Sequence, residues 1–406
     1  MGYTKQTIKG ISWIGAFRIV TRIISFARTA LLARLLTPRD FGVFGIATLV
    51  LSFLEIVTET GINIILVQKK ENINEFINTA WVTSIIRGVL ISIFIIVLTP
   101  FIAGFFNDTS AVLMLYVISV VPLIRGFINP SITKFIKDLE FKKEFMYRTS
   151  IFFVESVVSL GIVFYSQSVI GLAFGLICGA FFEVILSFIV VRPRPQFIFD
   201  KDKLFDVLGK GKWLTATGIF QYLYQNIDDV VVAKMVNVST FGIYDMAYRI
   251  SMLPITEISD VIGRVTFPVF VHMNTEIERL RTAFLKSFIL TAAIVIPIGL
   301  IFYIFSKEIV LLLLGSQWIQ ASEILKVLAL FGVIRALTQT AVPVLYAINK
   351  QDIMTKISIL NFLIIAIVIF PTVSAYGVIG AAYAAVISHL LAVPYLIYVL
   401  KKSSIL

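Results

Sequence analysis

Ten basic residues fall inside stretches that are otherwise apolar: Arg18, Arg22, Arg28, Arg87, Arg125, Lys234, Arg249, Arg264, Lys326 and Arg335. Acidic residues accompany them at Glu55, Glu59, Asp228, Asp229, Asp245, Glu257 and Asp260. A guanidinium keeps its charge at any working pH and grips phosphate oxygens with a two-pronged fork, so an excess of arginine suits an anion carrying phosphates. Arg18 and Arg22 lie one helical turn apart on one face, as do Glu55 and Glu59, and as do Glu257, Asp260 and Arg264. Two forks at 18 and 22 can reach the same diphosphate. Carboxylates in a wet intramembrane site can be neutralised by H⁺ or Na⁺, which makes Glu55, Glu59 and the Asp228-Asp229 pair candidates for binding a coupling ion. Signals for other chemistry are weak. The two histidines, His272 and His389, are far apart, and neither an HExxH nor a CxxC metal set occurs. No GxxxxGK phosphate loop is present, which argues against ATP hydrolysis. The single cysteine, Cys178, can form no intramolecular disulfide and is expected to be a buried packing residue. Asn107-Asp-Thr and Asn237-Val-Ser match the glycosylation pattern but carry no weight.

The charges need accommodation. Even on the lenient insertion scale each costs roughly 2.5–3.5 kcal/mol at a lipid-facing helix centre, so ten would cost on the order of 30 kcal/mol. That exceeds a typical net stability of about 5–15 kcal/mol. Lys234 and Lys326, near span ends, can snorkel, but others must face a hydrated cavity or a carboxylate. One arrangement is a cavity between two halves of the chain. The competing one is a set of interhelical ion pairs, for instance Arg28 or Arg249 with Asp228 or Asp229.

The elements that position these residues are membrane helices. Hydrophobic residues make up 58% of the 406 positions and charged ones 15%, against about 45–50% and 25% in soluble domains. Twelve apolar windows near the length of a bilayer span fall at 11–33, 43–66, 80–101, 111–133, 149–166 and 169–190, then at 213–235, 243–270, 284–305, 321–347, 353–372 and 375–400. Residues 308–318 are too short to span and are expected at the interface. One set of connections and termini carries 22 Lys and Arg, from Lys5 and Lys9 to Lys401 and Lys402, whereas the alternate set holds only Arg34, Arg39 and Lys307. The positive-inside rule then places both termini and the 191–212 linker in the cytoplasm. Topology also accounts for the net charge of +11 better than nucleic-acid binding does, because the basic residues flank apolar spans. The Arg-rich first segment reads as a membrane helix rather than a signal peptide.

The chain also repeats. At an offset of 200, Trp13 aligns with Trp213, Ala33 with Ala233, and Phe41-Gly42 with Phe241-Gly242. At 210, residues 111–125 face 321–335 and pair Arg125 with Arg335; at 209, VIGLAF (169–174) faces VIGAAY (378–383). Matches in the same order imply two six-helix halves of like orientation, residues 1–200 and 201–406, related by an axis along the membrane normal.

The strings LLARLLTPRDFGVFG (31–45) and FGIYDMAYRISMLPITEISDVIGRVTFPVF (241–270) resemble polysaccharide-exporting members of the multidrug/oligosaccharidyl-lipid/polysaccharide flippase superfamily, nearest to Wzx-type O-antigen and capsule repeat-unit flippases. The resemblance implies an all-α inner-membrane protein of about twelve spanning helices in two lobes. It implies outward movement of an undecaprenyl-diphosphate-linked oligosaccharide by alternating access, driven by an H⁺ or Na⁺ gradient, without another cofactor and without enzymatic activity. It further implies a monomer that cooperates with a polysaccharide polymerase and a chain-length regulator. To its cationic cavity the resemblance assigns Arg18, Arg22, Arg28, Arg125, Arg249 and Arg335. The competing functions are a multidrug or cation antiporter of the same fold, whose cavity should favour carboxylates and aromatics, and a membrane enzyme acting on lipid-linked glycan, which should carry a large external loop.

Overall fold

The computed structural model describes residues 21–22, 24–59, 74–138 and 140–405. Among them no strand occurs. The helices are α1 (24–35), α2 (Pro38–Val57), α3 (Asn74–Phe106), α4 (Ser110–Ile118), α5 (Val120–Arg125), α6 (Lys134–Lys137), α7 (Phe141–Ser166), α8 (Ile170–Val190), α9 (Lys201–Met235), α10 (Val238–His272), α11 (Ile277–Ile304), α12 (Ser306–Leu313), α13 (Ala321–Gln339), α14 (Ala341–Ala347), α15 (Gln351–Tyr376) and α16 (Val378–Lys402). Eight of them are long and apolar enough to cross a membrane. The chain is a multi-pass membrane protein, and its exposed apolar residues say so directly. On α3 the exposed Ile86, Leu90, Ile93, Val97, Phe101 and Phe105 recur every three or four residues, a stripe that suits lipid and would be costly in water.

Helix starts follow from the sequence. Thr37 accepts from the Asp40 amide while Asp40 reaches back to the Thr37 amide, a capping box, with Pro38 at the first helical position of α2. Two hundred residues later, Asn237 caps α10 by accepting from the Thr240 amide at 2.8 Å and from its hydroxyl at 2.9 Å. The second glycosylation-like Asn is thus a helix cap. The window at 111–133 is not one straight span: Ser110–Arg125 and Pro130–Lys137 meet at a 73° bend. Pro130 starts a 3-10 turn capped by Asn129, which breaks the helical hydrogen-bond ladder there. Residues 308–318 form the short α12 and a 3-10 turn at Ser316–Trp318. Cys178 is half-buried rather than fully buried.

By packing, the chain divides into two compact units, Met1–Asn226 and Ile227–Leu406, with the division inside α9. In the first unit α7 pairs with α8, α5 packs on α3 and α8, and α2 packs on α4. In the second, α13 packs against α10, α11 and α16, and α15 pairs with α16. Small residues make these crossings close, as expected where hydrocarbon supplies no hydrophobic drive between helices. Gly171, Gly175 and Gly179 recur every fourth position on α8 and face Val163, Ser159 and Glu155 of α7. A Cβ on Gly175 would lie 2.6 Å from the Ser159 Cβ.

The contacts repeat with the sequence. Gly171 abuts Val163 and Gly380 abuts Thr372, both at an offset of 209. Gly88 abuts Pro122 and Gly299 abuts Val333, both at 211. Ala33 and Ala233 are each 0% exposed. Trp13 lies outside the described residues.

Gly175→Val should lower the melting temperature in detergent by the equivalent of about 1–3 kcal/mol of overpacking. Gly104→Ala, with nothing near its Cβ position, should leave it unchanged. Equal melting of the two variants would contradict the close α7–α8 crossing.

Candidate functional site

In the first unit α2, α3, α5, α7 and α8, with the 126–136 segment, line an open cavity of about 780 Å³. Its charged lining is Glu55, Glu59, Arg87, Arg125, Glu144, Arg148 and Glu183, joined by Tyr147, Thr133 and Ser84. The volume lies in the ordinary range for small-molecule sites, roughly 300–1,000 Å³. Three guanidinium groups meet four carboxylates, so the wall is of mixed sign rather than cationic.

Each charge is set by its helix. Glu55 sits in the last turn of α2 and its Oε1 accepts from Arg125 Nη1 at 3.2 Å, both side chains about one-third exposed. Arg125 ends α5, where the fourth span breaks, so its guanidinium projects from a helix end rather than from a closed wall. Arg87, on α3, closes the C-terminus of α2: Nη2 donates to the Glu55 carbonyl at 2.5 Å and Nε to the Thr58 hydroxyl at 3.1 Å. A cation there satisfies orphan carbonyls and opposes the helix dipole. Its Nη2 also lies 3.4 Å from Glu59 Oε2. Arg148 pairs with Glu144 one turn back on α7 at 2.9 Å. Tyr147 directs its hydroxyl toward Glu183 at 3.5 Å. The sequence pattern singled out Glu55, Glu59 and Arg125; it missed Glu144, Tyr147, Arg148 and Glu183 as lining residues, because the first three lie in a basic connection and Glu183 is a lone acid in an apolar run.

The other expected residues are distributed elsewhere. Arg18 lies outside the described residues. Arg22, near the described start of the first helix, is exposed. Arg28 is an ion-pair partner, but of Glu155 rather than of Asp228 or Asp229: Nη1 stands 2.7 Å from Glu155 Oε1, and the two side chains are 13% and 16% exposed. The glycines of α8 permit this, since Gly179 brings its backbone against the Glu155 Cβ at the point where α7 carries the acid. Arg249 of the second unit pairs with Asp245 on its own helix, Nε lying 2.9 Å from both oxygens. Arg335 donates to the Tyr248 hydroxyl at 2.9 Å and stacks over Phe331 at 5.9 Å. Next to it Tyr244 donates to Asp228 Oδ2 at 2.6 Å, and the rings of Tyr244 and Tyr248 are 6.3 Å apart. Asp228 is buried and the adjacent Asp229 half-buried. Among the described residues no group of three His, Cys, Asp or Glu side chains is arranged to hold a metal ion.

At the offset of 200 Glu55 corresponds to Ile255, and at 210 Gly126 corresponds to Ala336. Ile255 and Ala336 pack with Val295 in a buried apolar cluster, filled further by Ile258, Ile298 and Val333. The position of Glu55 is therefore apolar in the second unit, while the position of Arg125 keeps its guanidinium as Arg335.

The family described as "Polysaccharide biosynthesis protein" matches residues 31–323. The chain is similar to the teichuronic acid biosynthesis protein TuaB of Bacillus subtilis (strain 168), with 26% identity over 86% of this chain and 73% of that one. It is also similar to the lipopolysaccharide biosynthesis protein WzxC of Escherichia coli (strain K12), with 23% identity over 88% of this chain and 73% of that one. In structure it resembles the lipid II flippase MurJ in an inward closed conformation, with a TM-score of 0.76 at 16% identity, covering 97% of this chain and 89% of the other. At that identity the likeness is one of fold.

Arg28→Ala should strip a buried carboxylate of its partner and destabilise the protein by about 3–5 kcal/mol, with Glu155→Gln added to the same chain restoring part of the loss. Melting of Arg28→Ala at the wild-type temperature would reject a structural role. Conversely, Glu55→Ile combined with Arg125→Met removes both charges of this partly exposed pair together and should keep wild-type melting while abolishing transport. Loss of folded protein in that double variant would show the charges to be structural.

Proposed function

The chain belongs to the polysaccharide biosynthesis protein family, and from that premise we propose that it flips a lipid-linked oligosaccharide across the cytoplasmic membrane by alternating access. The substrate in this reading is an undecaprenyl-diphosphate-linked repeat unit, taken from the cytoplasmic leaflet and released on the outer one for assembly of a surface polysaccharide. The single observation that carries the reading is the charged cavity of the first unit, whose Glu55 position is apolar in the packed second unit. The relatives' names, in teichuronic acid and lipopolysaccharide biosynthesis, support the substrate class. Both termini lie in the cytoplasm, on the side with the Lys and Arg excess. The protein acts as a monomer beside a polymerase and a chain-length regulator.

A sugar headgroup with a diphosphate carries many polar groups and two or more charges, and crossing bare hydrocarbon would cost on the order of tens of kcal/mol. The carrier must replace lost water with fixed donors and acceptors. Arg125 offers guanidinium N–H groups beyond the one used by Glu55. Glu55, Glu59 and Tyr147 offer acceptors and a hydroxyl suited to sugar. Arg18, Arg22, Arg249 and Arg335 are the further cations that the reading assigns to the substrate, whereas Arg28 is engaged by Glu155. Glu55 and Glu59 are the first candidates for the coupling ion and the Asp228-Asp229 pair the second, because protonation or Na⁺ binding at Glu55 would release Arg125 for the anion.

Proteoliposomes holding the protein and radiolabelled undecaprenyl-diphosphate-linked oligosaccharide test this. Flipping should accelerate under an imposed proton or sodium gradient. Arg125→Ala should slow it at least about tenfold, a change of about 1.4 kcal/mol in the barrier, and Arg125→Lys should recover only part. Arg18→Ala and Arg22→Ala should act likewise while leaving folded protein. Glu55→Gln and Glu59→Gln should flip without responding to the gradient; variants that stay fully gradient-driven would remove those acids as coupling groups. Wild-type protein that flips nothing under either gradient would sink the reading.

A further inference from the structure

The segment 191–200 between α8 and α9 is tied down along its length. The Pro193 carbonyl accepts from Asn129 Nδ2 at 3.1 Å and from the Ser131 hydroxyl at 2.9 Å, and the Arg192 carbonyl accepts from Lys134 Nζ at 3.0 Å. Farther along, the Gln196 amide donates to Asn78 Oδ1 at 2.9 Å and the Asp200 amide to Thr79 Oγ1 at 3.3 Å. Asn129 is 0% exposed, so the first anchor is inside the bundle. The strap thus runs along the start of α3, bonded to Asn78 and Thr79.

What this rigid strap presents is unusual for a hydrated loop. Phe197, Ile198 and Phe199 are consecutive and 73%, 53% and 41% exposed. Phe197 packs against Trp81 with ring centroids 4.5 Å apart and the planes tilted by 49°. Around them stand cations: Arg192 and Arg194 are exposed on the strap itself, and Lys134 touches it. Hydrogen bonds from the Gln196 and Asp200 amides to the Asn78 and Thr79 side chains flank the exposed apolar triplet. An aromatic wedge beside Trp81, with Arg192 and Arg194 exposed on the same strap, matches the layered chemistry of a membrane surface, apolar beneath and anionic above.

We propose that residues 191–199 form a fixed docking surface for anionic lipid headgroups, with Phe197 and Ile198 inserted at the acyl boundary and Arg192 and Arg194 paired with lipid phosphates. The charge complementarity selects lipid over a second copy of this chain, whose matching strap would be equally positive. The same Asn129 and Ser131 side chains join the strap to the 126–136 segment that walls the cavity, so lipid engagement bears on that wall.

The test uses the full chain with Cys178→Ser and Phe197→Cys, labelled with bimane and reconstituted into phosphatidylcholine vesicles with or without phosphatidylglycerol. Shallow nitroxide lipids should quench the label, and phosphatidylglycerol should raise the quenching at least twofold. Adding Arg192→Gln and Arg194→Gln should abolish the phosphatidylglycerol effect and leave basal quenching. Labelling at Ile198→Cys gives the same readout if the first variant does not fold. Water-like, unquenched emission at both positions overturns the proposal, as does quenching that ignores phosphatidylglycerol. Disulfide-linked dimers formed efficiently through 197 or 198 would also overturn it, assigning the surface to a second copy.

Discussion

A charge in hydrocarbon must be met by an opposite charge, a dipole or water, and the arrangement of this protein depends on how that demand is filled. Arg28 is filled by Glu155, Arg87 by the open carbonyl end of α2 and by Glu59, Arg125 by Glu55, and Arg249 by Asp245. Three of these four join different helices, and so fix helix position as well as charge. They succeed because backbones approach closely. Gly171, Gly175 and Gly179 let α8 lie against α7, and Gly88 lets α3 meet the broken span at Pro122. Small residues and ion pairs are two halves of one device, since the first supplies the proximity that the second requires.

The pairs differ in burial, and burial sorts their roles. Arg28 and Glu155 are almost closed off from solvent and behave as a strut, whose loss leaves a stranded charge. Arg125 and Glu55 are each about one-third exposed and line a cavity, so either can exchange its partner for another ion without leaving water altogether. An exposed pair of this kind contributes little to stability, about 0–1 kcal/mol. That is the property a binding group needs, because a partner held too firmly could not be displaced by substrate.

Duplication supplies an internal control. Capping residues Thr37 and Asn237, the buried Ala33 and Ala233, and the glycine contacts at 171 and 380 keep the same register in both copies. Electrostatics diverged where packing did not. Arg125 meets a carboxylate, while its counterpart Arg335 meets the Tyr248 phenol and the face of Phe331. Ile255 stands where the first copy has Glu55 and is buried in an apolar cluster. The two units therefore share a scaffold but carry different sites: a charged cavity in one, and in the other two hydrogen-bonded pairs, Tyr244 with Asp228 and Arg335 with Tyr248, whose tyrosine rings adjoin.

Composition and period alone determined that the chain spans a membrane, where most spans fall, that it repeats, and that Glu55, Glu59 and Arg125 are residues to watch. Those properties are local or additive: apolar length, turn and cap chemistry, and the cost of a charge within an apolar run are all properties of neighbouring residues. The partner of each charge was decided only by tertiary structure. Arg28 and Glu155 are 127 positions apart and Arg125 and Glu55 are 70 apart, and nothing in either segment encodes which helix will lie alongside. Pro130 is present in the sequence, yet the 73° bend there, the Asn129 cap and the bond from Asn129 to the Pro193 carbonyl 64 positions away appear only in the folded chain. Glu144, Tyr147, Arg148 and Glu183 belong to the cavity for the same reason: their helices converge there, and convergence is a property of packed backbones that no linear spacing records.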